Sequence, residues 1–192
     1  EMSASLVGSE MCIRDRYYDA VEEMAQTGRM IGVSETRFAP QMNLTRGQLA
    51  TILYRMEGSP DVTGMEHPFK DVAENQYYSD AVTWASAHGI VRGVTKTKFL
   101  PNAAVTREQM AVLLYRYADY KGYDMAVEGD LSRFPDGEKT SEYAEAAMCW
   151  AVSVGLFQGI AGGDAIWLKP QNGATRAQAA TVLVRFLEKF PA

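Results

Sequence analysis

Three arginines occupy equivalent places in a four-residue unit that occurs three times in the chain. The units are Thr45-Arg46-Gly47-Gln48, Thr106-Arg107-Glu108-Gln109 and Thr175-Arg176-Ala177-Gln178. Each unit opens an apolar pattern spaced i, i+3, i+4, i+7, which is typical of an amphipathic helix. The Thr-x-x-Gln spacing predicts a capping box, in which the threonine hydroxyl and the glutamine side chain each accept one amide at the helix start. We therefore predict three helices, each with an arginine at its first position.

A cation at the start of a helix requires an explanation, because the positive end of the helix dipole disfavours it by about 0.3–1 kcal/mol. One explanation is an anion site, formed by the guanidinium group and free backbone amides. The other is that each arginine pairs with a carboxylate of its own domain. The residues alone leave both explanations open. A second arginine follows nine residues later in each helix, at Arg55, Arg116 and Arg185. We assign it a structural role, because a cation is favoured near a helix C-terminus.

Another amphipathic helix is predicted upstream of each arginine unit. The three apolar patterns begin at Tyr17, Tyr78 and Ala144. Each is followed by two glycines four residues apart, at Gly28 and Gly32, Gly89 and Gly93, and Gly155 and Gly159. The first glycine of each pair fits the position after a helix, where positive φ is needed. A loop then leads to Pro40, Pro101 or Pro170. In the third copy this loop is three residues longer, and the excess falls at 161–164.

These patterns indicate an all-α protein made of three helix–loop–helix repeats. We place the repeats at 17–57, 58–121 and 122–192, with linkers at the start of the second and third. A single repeat of about 50–60 residues is too small for a sound core. We therefore expect the three to pack together with pseudo-threefold symmetry. Residues 1–16 include a stretch that resembles a translated sequencing adaptor, so we expect this segment to be non-native.

The composition narrows the possible functions. The chain has 192 residues, 47% of them hydrophobic and 22% charged, and a net charge of −5. That balance is ordinary for a globular protein and gives no footprint of a nucleic-acid binder. No apolar run is long enough to span a membrane. The sequence shows no nucleophile–base signature, phosphate loop or metal-ligand spacing, so we expect no catalytic residue, metal or cofactor.

The second repeat shows most fully which family the sequence resembles. It contains Phe-x-Asp-Val from Phe69, Tyr-x-x-Ala-Val from Tyr78, Gly-Ile-Val-x-Gly from Gly89, Phe-x-Pro from Phe99 and Thr-Arg from Thr106. This order of motifs resembles the S-layer homology domain in its usual triplet form. The resemblance implies a three-pronged spindle around a central helical bundle, in a monomeric triplet. It also implies an extracellular location at the cell wall of a Gram-positive-type bacterium. The expected function is non-covalent anchoring of an exported protein, through a secondary cell-wall polysaccharide that often carries a pyruvylated amino sugar.

The resemblance also assigns candidate ligand-binding residues in grooves between repeats. They are the three motif arginines Arg46, Arg107 and Arg176, the threonines Thr45, Thr106 and Thr175, the glycines Gly93 and Gly159, and the tryptophans Trp84 and Trp150. Further candidates for an aromatic face toward a sugar are Tyr77, Tyr78 and Trp167. Turn geometry alone also explains the glycines, and for Trp84 and Trp150, which lie on the first helices, core or prong packing is the favoured alternative. We expect Asp71 and Asp136 to cap turns or to pair with a motif arginine.

Two departures and one alternative complete these expectations. The third repeat has Leu168 where the others have Phe38 and Phe99, so we expect its ligand use to have drifted. Glutamine replaces the family's glutamate in all three capping units, which removes a carboxylate there. The alternative function is a protein-interaction or S-layer assembly module that binds no carbohydrate.

Replacing Arg107 with alanine is expected to weaken wall binding with little change in thermal stability, because a disfavoured cation is removed.

Overall fold

The computed structural model describes residues 17–126 and 129–191. The segment expected to be non-native lies outside these ranges. The described residues form six α-helices: α1 (Tyr18–Gln26), α2 (Arg46–Met56), α3 (Ser79–Ala87), α4 (Arg107–Tyr120), α5 (Glu145–Ser153) and α6 (Arg176–Lys189). Two short 3₁₀ turns, Gly137–Lys139 and Glu142–Ala144, precede α5. The all-α class and the helix–loop–helix repeats are confirmed.

The second helix of each repeat begins at the predicted capping box. The hydroxyls of Thr45, Thr106 and Thr175 each accept the amide of the glutamine three residues on, at 3.2 Å. The glutamine Oε1 atoms accept the threonine amides at 3.1, 3.3 and 3.3 Å. Each box therefore satisfies two amides that would otherwise have no partner within the helix.

The first helix of each repeat ends at the predicted glycine. Gly28, Gly89 and Gly155 follow α1, α3 and α5 with φ of 68°, 70° and 85°. These helices bury small and aromatic side chains, and Trp84 on α3 and Trp150 on α5 are each only 1% exposed. The assignment of both tryptophans as ligand-binding residues is therefore wrong, because neither offers a ring face to a sugar.

The helices pack in pairs that cross from one repeat to the next. Helix α2 contacts α3, α4 contacts α5, and α6 of the last repeat contacts α1 of the first. Each pair buries the apolar stripe of a second helix against that of a first helix. Because the last pair joins the two ends of the described chain, no repeat completes its own core, and the three are expected to unfold together.

Three loop residues close a ring of backbone hydrogen bonds at the start of the second helices. The Leu44 amide donates to the Ala174 carbonyl at 2.8 Å, and the Ala174 amide donates to the Val105 carbonyl at 2.9 Å. The Val105 amide returns to the Leu44 carbonyl at 2.9 Å. This cyclic pattern relates the three repeats equally around one point. The three-pronged outline that the resemblance implies stays a prediction.

Two aspartates fix the loops that carry the Phe-x-Pro positions. The Asp71 carboxylate accepts the amides of Phe99 and Leu100 at 2.8 and 2.7 Å. Asp136 likewise accepts the amides of Leu168 and Lys169 at 2.7 and 2.8 Å. Burial raises the pKa of Asp71, but the amide hydrogen bonds of Phe99 and Leu100, together with its own backbone amide and the Lys98 cation, lower the pKa overall. Of the two roles expected for these aspartates, turn capping is confirmed.

The longer loop of the third repeat forms a small antiparallel hairpin. Strand β1 (Ile160–Gly162) pairs with β2 (Ala165–Trp167), with Ile160 opposite Trp167 and Gly162 opposite Ala165. The equivalent loops of the first two repeats close with single bridges, Ser34 with Arg37 and Thr95 with Lys98. The sequence predicts an insertion here but no strands.

Candidate functional site

The three motif arginines lie almost fully inside the protein, each inserted into the next repeat. Arg46, Arg107 and Arg176 are 6%, 4% and 3% exposed. Their Nε atoms donate to the carbonyls of Phe99, Leu168 and Phe38 at 2.9, 2.8 and 2.8 Å. The second repeat thus receives the arginine of the first, the third that of the second, and the first that of the third.

Each buried guanidinium also lies over a phenylalanine ring. Arg46 lies 4.6 Å from the centre of the Phe99 ring, and Arg176 lies 4.5 Å from that of Phe38. In the third repeat Leu168 has no ring, and Arg107 instead lies 4.9 Å from the centre of the Phe157 ring. A cation over an aromatic face is favourable, and more so when desolvated. The substitution at Leu168 is therefore compensated from a different position in the same repeat.

The amides at the helix starts are already occupied by the protein. At α2 the Arg46 amide donates to the Ala103 carbonyl at 2.9 Å and the Gly47 amide to the Pro101 carbonyl at 2.8 Å. The next amide is taken by the capping threonine. Helices α4 and α6 repeat the arrangement with the carbonyls of Asn172 and Pro170, and of Met42 and Pro40. The interpretation that free amides bind an anion here is therefore wrong.

The second explanation, in which each motif arginine pairs with a carboxylate of its own domain, is also wrong. Within the described ranges no carboxylate lies at ion-pair distance from Arg46, Arg107 or Arg176, and the ion pair found there joins Lys121 to Glu57 at 2.9 Å. The guanidinium groups are satisfied by backbone carbonyls and aromatic rings. Burial lowers the pKa of Arg107 to about 10, which leaves it cationic at neutral pH. The prediction that Arg107→Ala hardly changes thermal stability assumed that only a disfavoured cation is removed. The structure shows instead that this side chain joins two repeats.

A first groove passes alongside Arg176. It has a volume of about 360 Å³, within the range of small-ligand sites, and brings Arg176 together with Arg55, Gln48 and Tyr77. Arg176 also donates to the Ile31 carbonyl at 2.6 Å on the groove wall. Tyr77 is 57% exposed, so its ring is accessible. Three repeats contribute to this groove, since Arg176 comes from the third, Arg55 from the first and Tyr77 from the second.

A second groove of the same volume passes alongside Arg107. It brings Arg107 of the second repeat together with Arg185 and Gln178 of the third and Tyr17 of the first. The Arg185 guanidinium donates to the Leu156 carbonyl at 3.2 Å, which fixes its direction. The groove also includes Gly159 and the base of the hairpin. Among the described residues that line either groove there is no aspartate or glutamate.

The same set of residues recurs around Arg46. The pKa of Arg116 is lowered first by burial and then by the cations Arg92 and Arg46, which are therefore its neighbours. Tyr143, the counterpart of Tyr77 in the second repeat, donates to Glu108 at 3.0 Å. Burial and this hydrogen bond raise the pKa of Tyr143 to about 12. Glu108 is itself buried and replaces the small residues Gly47 and Ala177 of the other repeats.

The remaining candidate ligand-binding residues differ in burial and in their contacts. The three threonine hydroxyls serve the capping boxes. Tyr78 is buried, and the Trp167 indole donates to the Gly162 carbonyl at 3.0 Å. A Cβ on Gly93 would lie 2.3 Å from the Thr95 carbonyl oxygen, so its turn has room only for glycine. Gly159 has φ of 79° and lines the second groove.

In two of the three helices the second arginine, Arg55 or Arg185, lines a groove, which the sequence patterns did not indicate. Arg55 and Arg185 were assigned a structural role, yet each faces a motif arginine that comes from another repeat. The same threefold recurrence that marked Arg46, Arg107 and Arg176 also marks Arg55, Arg116 and Arg185. That recurrence was the available signal.

Two absences among the described residues bear on the function. Residues 17–126 and 129–191 contain no group of three or more His, Cys, Asp or Glu side chains placed to hold a metal ion. None of the helices in the described part of the chain has the length and apolar character needed to cross a membrane.

Comparison with known proteins identifies the family. The model of the S-layer homology domain matches residues 14–50, 68–111 and 133–180. A surface-layer 125 kDa protein of Lysinibacillus sphaericus is 30% identical over 91% of this chain and 14% of its own length. An endoglucanase of Bacillus sp. (strain KSM-635) is 30% identical over 88% of this chain and 17% of its own length. A cellulosome-anchoring protein of Acetivibrio thermocellus is 22% identical over 80% of this chain and 34% of its own length.

This chain therefore corresponds to a minor part of each of these relatives, between 14% and 34% of their length. The names of two of them, the surface-layer protein and the cellulosome-anchoring protein, agree with the expected cell-surface location. The match to the endoglucanase covers too little of that enzyme to transfer its activity. The chain belongs to the S-layer homology domain family.

Proposed function

We propose that this chain anchors an exported bacterial protein to the cell wall by binding an acidic secondary cell-wall polysaccharide in the grooves beside its buried arginines. The observation that carries this proposal is the charge of the grooves. Each of the two grooves holds two arginines and, among its described lining residues, no carboxylate. The chain as a whole carries a net charge of −5. The positive charge is therefore local, which favours an anionic ligand held in a defined place over general attraction to polyanions.

A pyruvate ketal on an amino sugar supplies an anion of suitable size. Its carboxylate accepts two parallel hydrogen bonds from one guanidinium group, which gives both affinity and orientation. In the first groove Arg55 is half-buried and Arg176 is held from behind by the Phe38 carbonyl and ring. The ligand thus meets the Arg176 guanidinium already oriented, so little entropy of that side chain is lost on binding.

The sugar itself requires an aromatic face and amide groups. Tyr77 and Gln48 line the first groove together with its arginines, and Tyr17 and Gln178 line the second. A tyrosine ring packs against the C–H face of a pyranose, and the glutamine amides pair with hydroxyls. Both glutamines keep Oε1 in their capping boxes, which leaves their NH₂ groups as donors.

Several grooves on one monomeric chain would act together on a repeating polymer. When two sites bind one strand, the second binding event becomes intramolecular and overall affinity rises by about 10²–10⁴. Non-covalent anchoring then tolerates weak binding at each groove. An extracellular location at the cell wall follows from this proposal.

Pull-down on purified wall sacculi tests the proposal. Arg55→Ala and Arg185→Ala each remove one groove cation without removing a motif arginine. Loss of a charge-assisted hydrogen bond of about 1.5–3 kcal/mol weakens binding at that groove by roughly 10- to 100-fold. Lys189→Ala is the matched control, because it removes one exposed positive charge at the end of α6, outside both grooves.

Two outcomes would refute the carbohydrate function. The first is undiminished binding to sacculi from which the secondary polymer has been stripped, which would favour a protein partner. The second is equal binding by the two groove variants, the control and the wild type. Thermal unfolding of every variant distinguishes a binding defect from a folding defect.

A further inference from the structure

Three arginines meet around Arg46, whereas each of the two grooves has two among its described lining residues. The Arg46 guanidinium donates to the Arg92 carbonyl at 2.9 Å. Burial lowers the pKa of Arg116 most, and the charges of Arg92 and Arg46 lower it further, so the three residues lie close to one another. We call Arg46, Arg92 and Arg116 the Arg46 cluster. Because arginine stays protonated in proteins, the cluster carries three positive charges.

Arg92 is the member that distinguishes the Arg46 cluster from the grooves. The residue before the second glycine of each pair is Ile31 in the first repeat, Arg92 in the second and Gln158 in the third. Ile31 lines the first groove and Gln158 lines the second. The carbonyls of Ile31 and Arg92 each accept a hydrogen bond from a motif arginine. Arg92 therefore holds a wall position that is uncharged in both grooves, and its side chain is exposed.

The Arg46 cluster has no carboxylate at ion-pair distance within the part of the chain that the structure describes. Glu108 directs its carboxylate elsewhere, since it accepts the Ser141 amide and hydroxyl at 3.1 and 3.0 Å and the Tyr143 hydroxyl at 3.0 Å. Asp71 acts on Arg46 from beyond ion-pair distance, and its two oxygens accept loop amides. The charge of the cluster can therefore be balanced by an external anion.

We propose that the Arg46 cluster is a binding site for a phosphate group in its doubly charged form, carried by a sugar or free in solution. This inference rests on the proposed function for its role in anchoring, and it assigns one of the three motif arginines a different acidic group. A phosphate monoester carries a charge of about −1.5 to −2 at pH 7 and three acceptor oxygens, one for each guanidinium group. The planar guanidinium fork pairs with phosphate oxygens two at a time. A carboxylate has one charge and two oxygens, which two arginines satisfy.

Nuclear magnetic resonance titration of the whole chain reports on the three places separately. The probes are inorganic phosphate, N-acetylglucosamine 6-phosphate, and an N-acetylhexosamine with a 1-carboxyethylidene ketal. Amide shifts at 91–93 report the Arg46 cluster, those at 31–33 the first groove and those at 159–161 the second. One additional charge-assisted hydrogen bond changes affinity by roughly 10- to 100-fold, so we expect the cluster to bind phosphate more tightly than the carboxylate by that factor.

Two reciprocal substitutions test the role of the third guanidinium group. Arg92→Gln gives the cluster the residue that the third repeat has at this position, and it should weaken phosphate binding there by roughly 10- to 100-fold. Gln158→Arg transfers the additional cation to the second groove and should strengthen phosphate binding there by a similar factor. Lys96→Gln is the matched control, because it removes one exposed positive charge from the same loop as Arg92 but outside the cluster.

The two phosphate probes distinguish the possible sources of the ligand. Tighter binding of the sugar phosphate than of inorganic phosphate would identify a phosphorylated sugar as the ligand. Equal binding of the two probes at the cluster would identify free phosphate. Either result supports a phosphate site, provided that Arg92→Gln weakens it and Lys96→Gln does not.

The results that would overturn this inference differ from those that would overturn the proposed function. The phosphate site is refuted if the cluster binds the carboxylate as tightly as phosphate, or if Arg92→Gln and Lys96→Gln weaken phosphate binding equally. Carboxylate binding at the two grooves would then leave the proposed function intact. Phosphate binding at the cluster without carboxylate binding at either groove would establish the site and refute its role in anchoring.

Discussion

Replacing Arg107 with alanine is expected to destabilise the whole fold. The side chain is 4% exposed, its Nε donates to the Leu168 carbonyl at 2.8 Å, and its guanidinium lies over Phe157. Arg107 begins α4 in the second repeat, whereas Leu168 and Phe157 belong to the third. The substitution therefore removes a contact between repeats and leaves a buried carbonyl without its donor.

The magnitude follows from opposing contributions. Loss of a charge-assisted hydrogen bond costs about 1.5–3 kcal/mol, and loss of a desolvated cation–π contact costs about 1–2 kcal/mol. Removal of the cation from the helix start returns about 0.3–1 kcal/mol. Relief from desolvation, which is what lowers the pKa of Arg107 to about 10, acts in the same direction. We expect a net loss of about 2 kcal/mol in unfolding free energy and about 4–8 °C in thermal midpoint.

Urea denaturation followed by circular dichroism, together with calorimetry, measures this change. Lys189→Ala serves as the matched control, since it removes a positive charge from an exposed position and should stay within about 0.5 kcal/mol of wild type. An Arg107→Ala variant that is as stable as this control would show that the guanidinium does not join the repeats. The structural argument for its burial would then be refuted, whatever the effect on wall binding.

Two further perturbations address the scaffold. Asp71→Asn removes a carboxylate whose pKa is lowered in the folded state, so wild type should exceed the variant in stability above the unfolded carboxyl pKa of about 3.9. That difference should shrink as pH falls through the lower folded pKa, and urea titrations from pH 7 to pH 2 measure it; a pH-independent difference would exclude this cause. Thr106→Ala removes one capping box and should cost about 1 kcal/mol by urea denaturation. Unchanged stability would mean that the cap at α4 is dispensable.

Much of the local structure followed from the sequence because its signals are short-range. Thr106 and Gln109 are three residues apart, and a hydroxyl and an amide at that spacing form a cap whenever the helix forms. Gly89 marks a helix end because positive φ is accessible to glycine without steric cost. Repetition of these local signals was sufficient to predict six helices and three repeats.

The site was predicted less completely because its contacts span long separations in the chain. The Nε of Arg176 donates a hydrogen bond to the carbonyl of Phe38, 138 positions earlier in the chain, and no local sequence pattern indicates that partner. The sequence shows that these arginines recur at equivalent positions in the three repeats. The proximity of Arg107 to Arg185, however, depends on packing between repeats. Trp84 and Trp150 were misassigned because a large aromatic residue on a helix fits a core and a sugar platform equally well until burial is known.

The sequence by itself determined the repeats, the helix starts and the triplicate placement of positive charge, because each depends on residues a few positions apart. Only the tertiary structure decided what the charge does. In the folded chain the amides at the helix starts donate to carbonyls of the next repeat, and each motif guanidinium lies over a phenylalanine ring. The grooves are lined by residues from all three repeats. The physical reason is that no repeat buries its own apolar stripes, so the helix pairs and the grooves beside them exist only when the three repeats pack together.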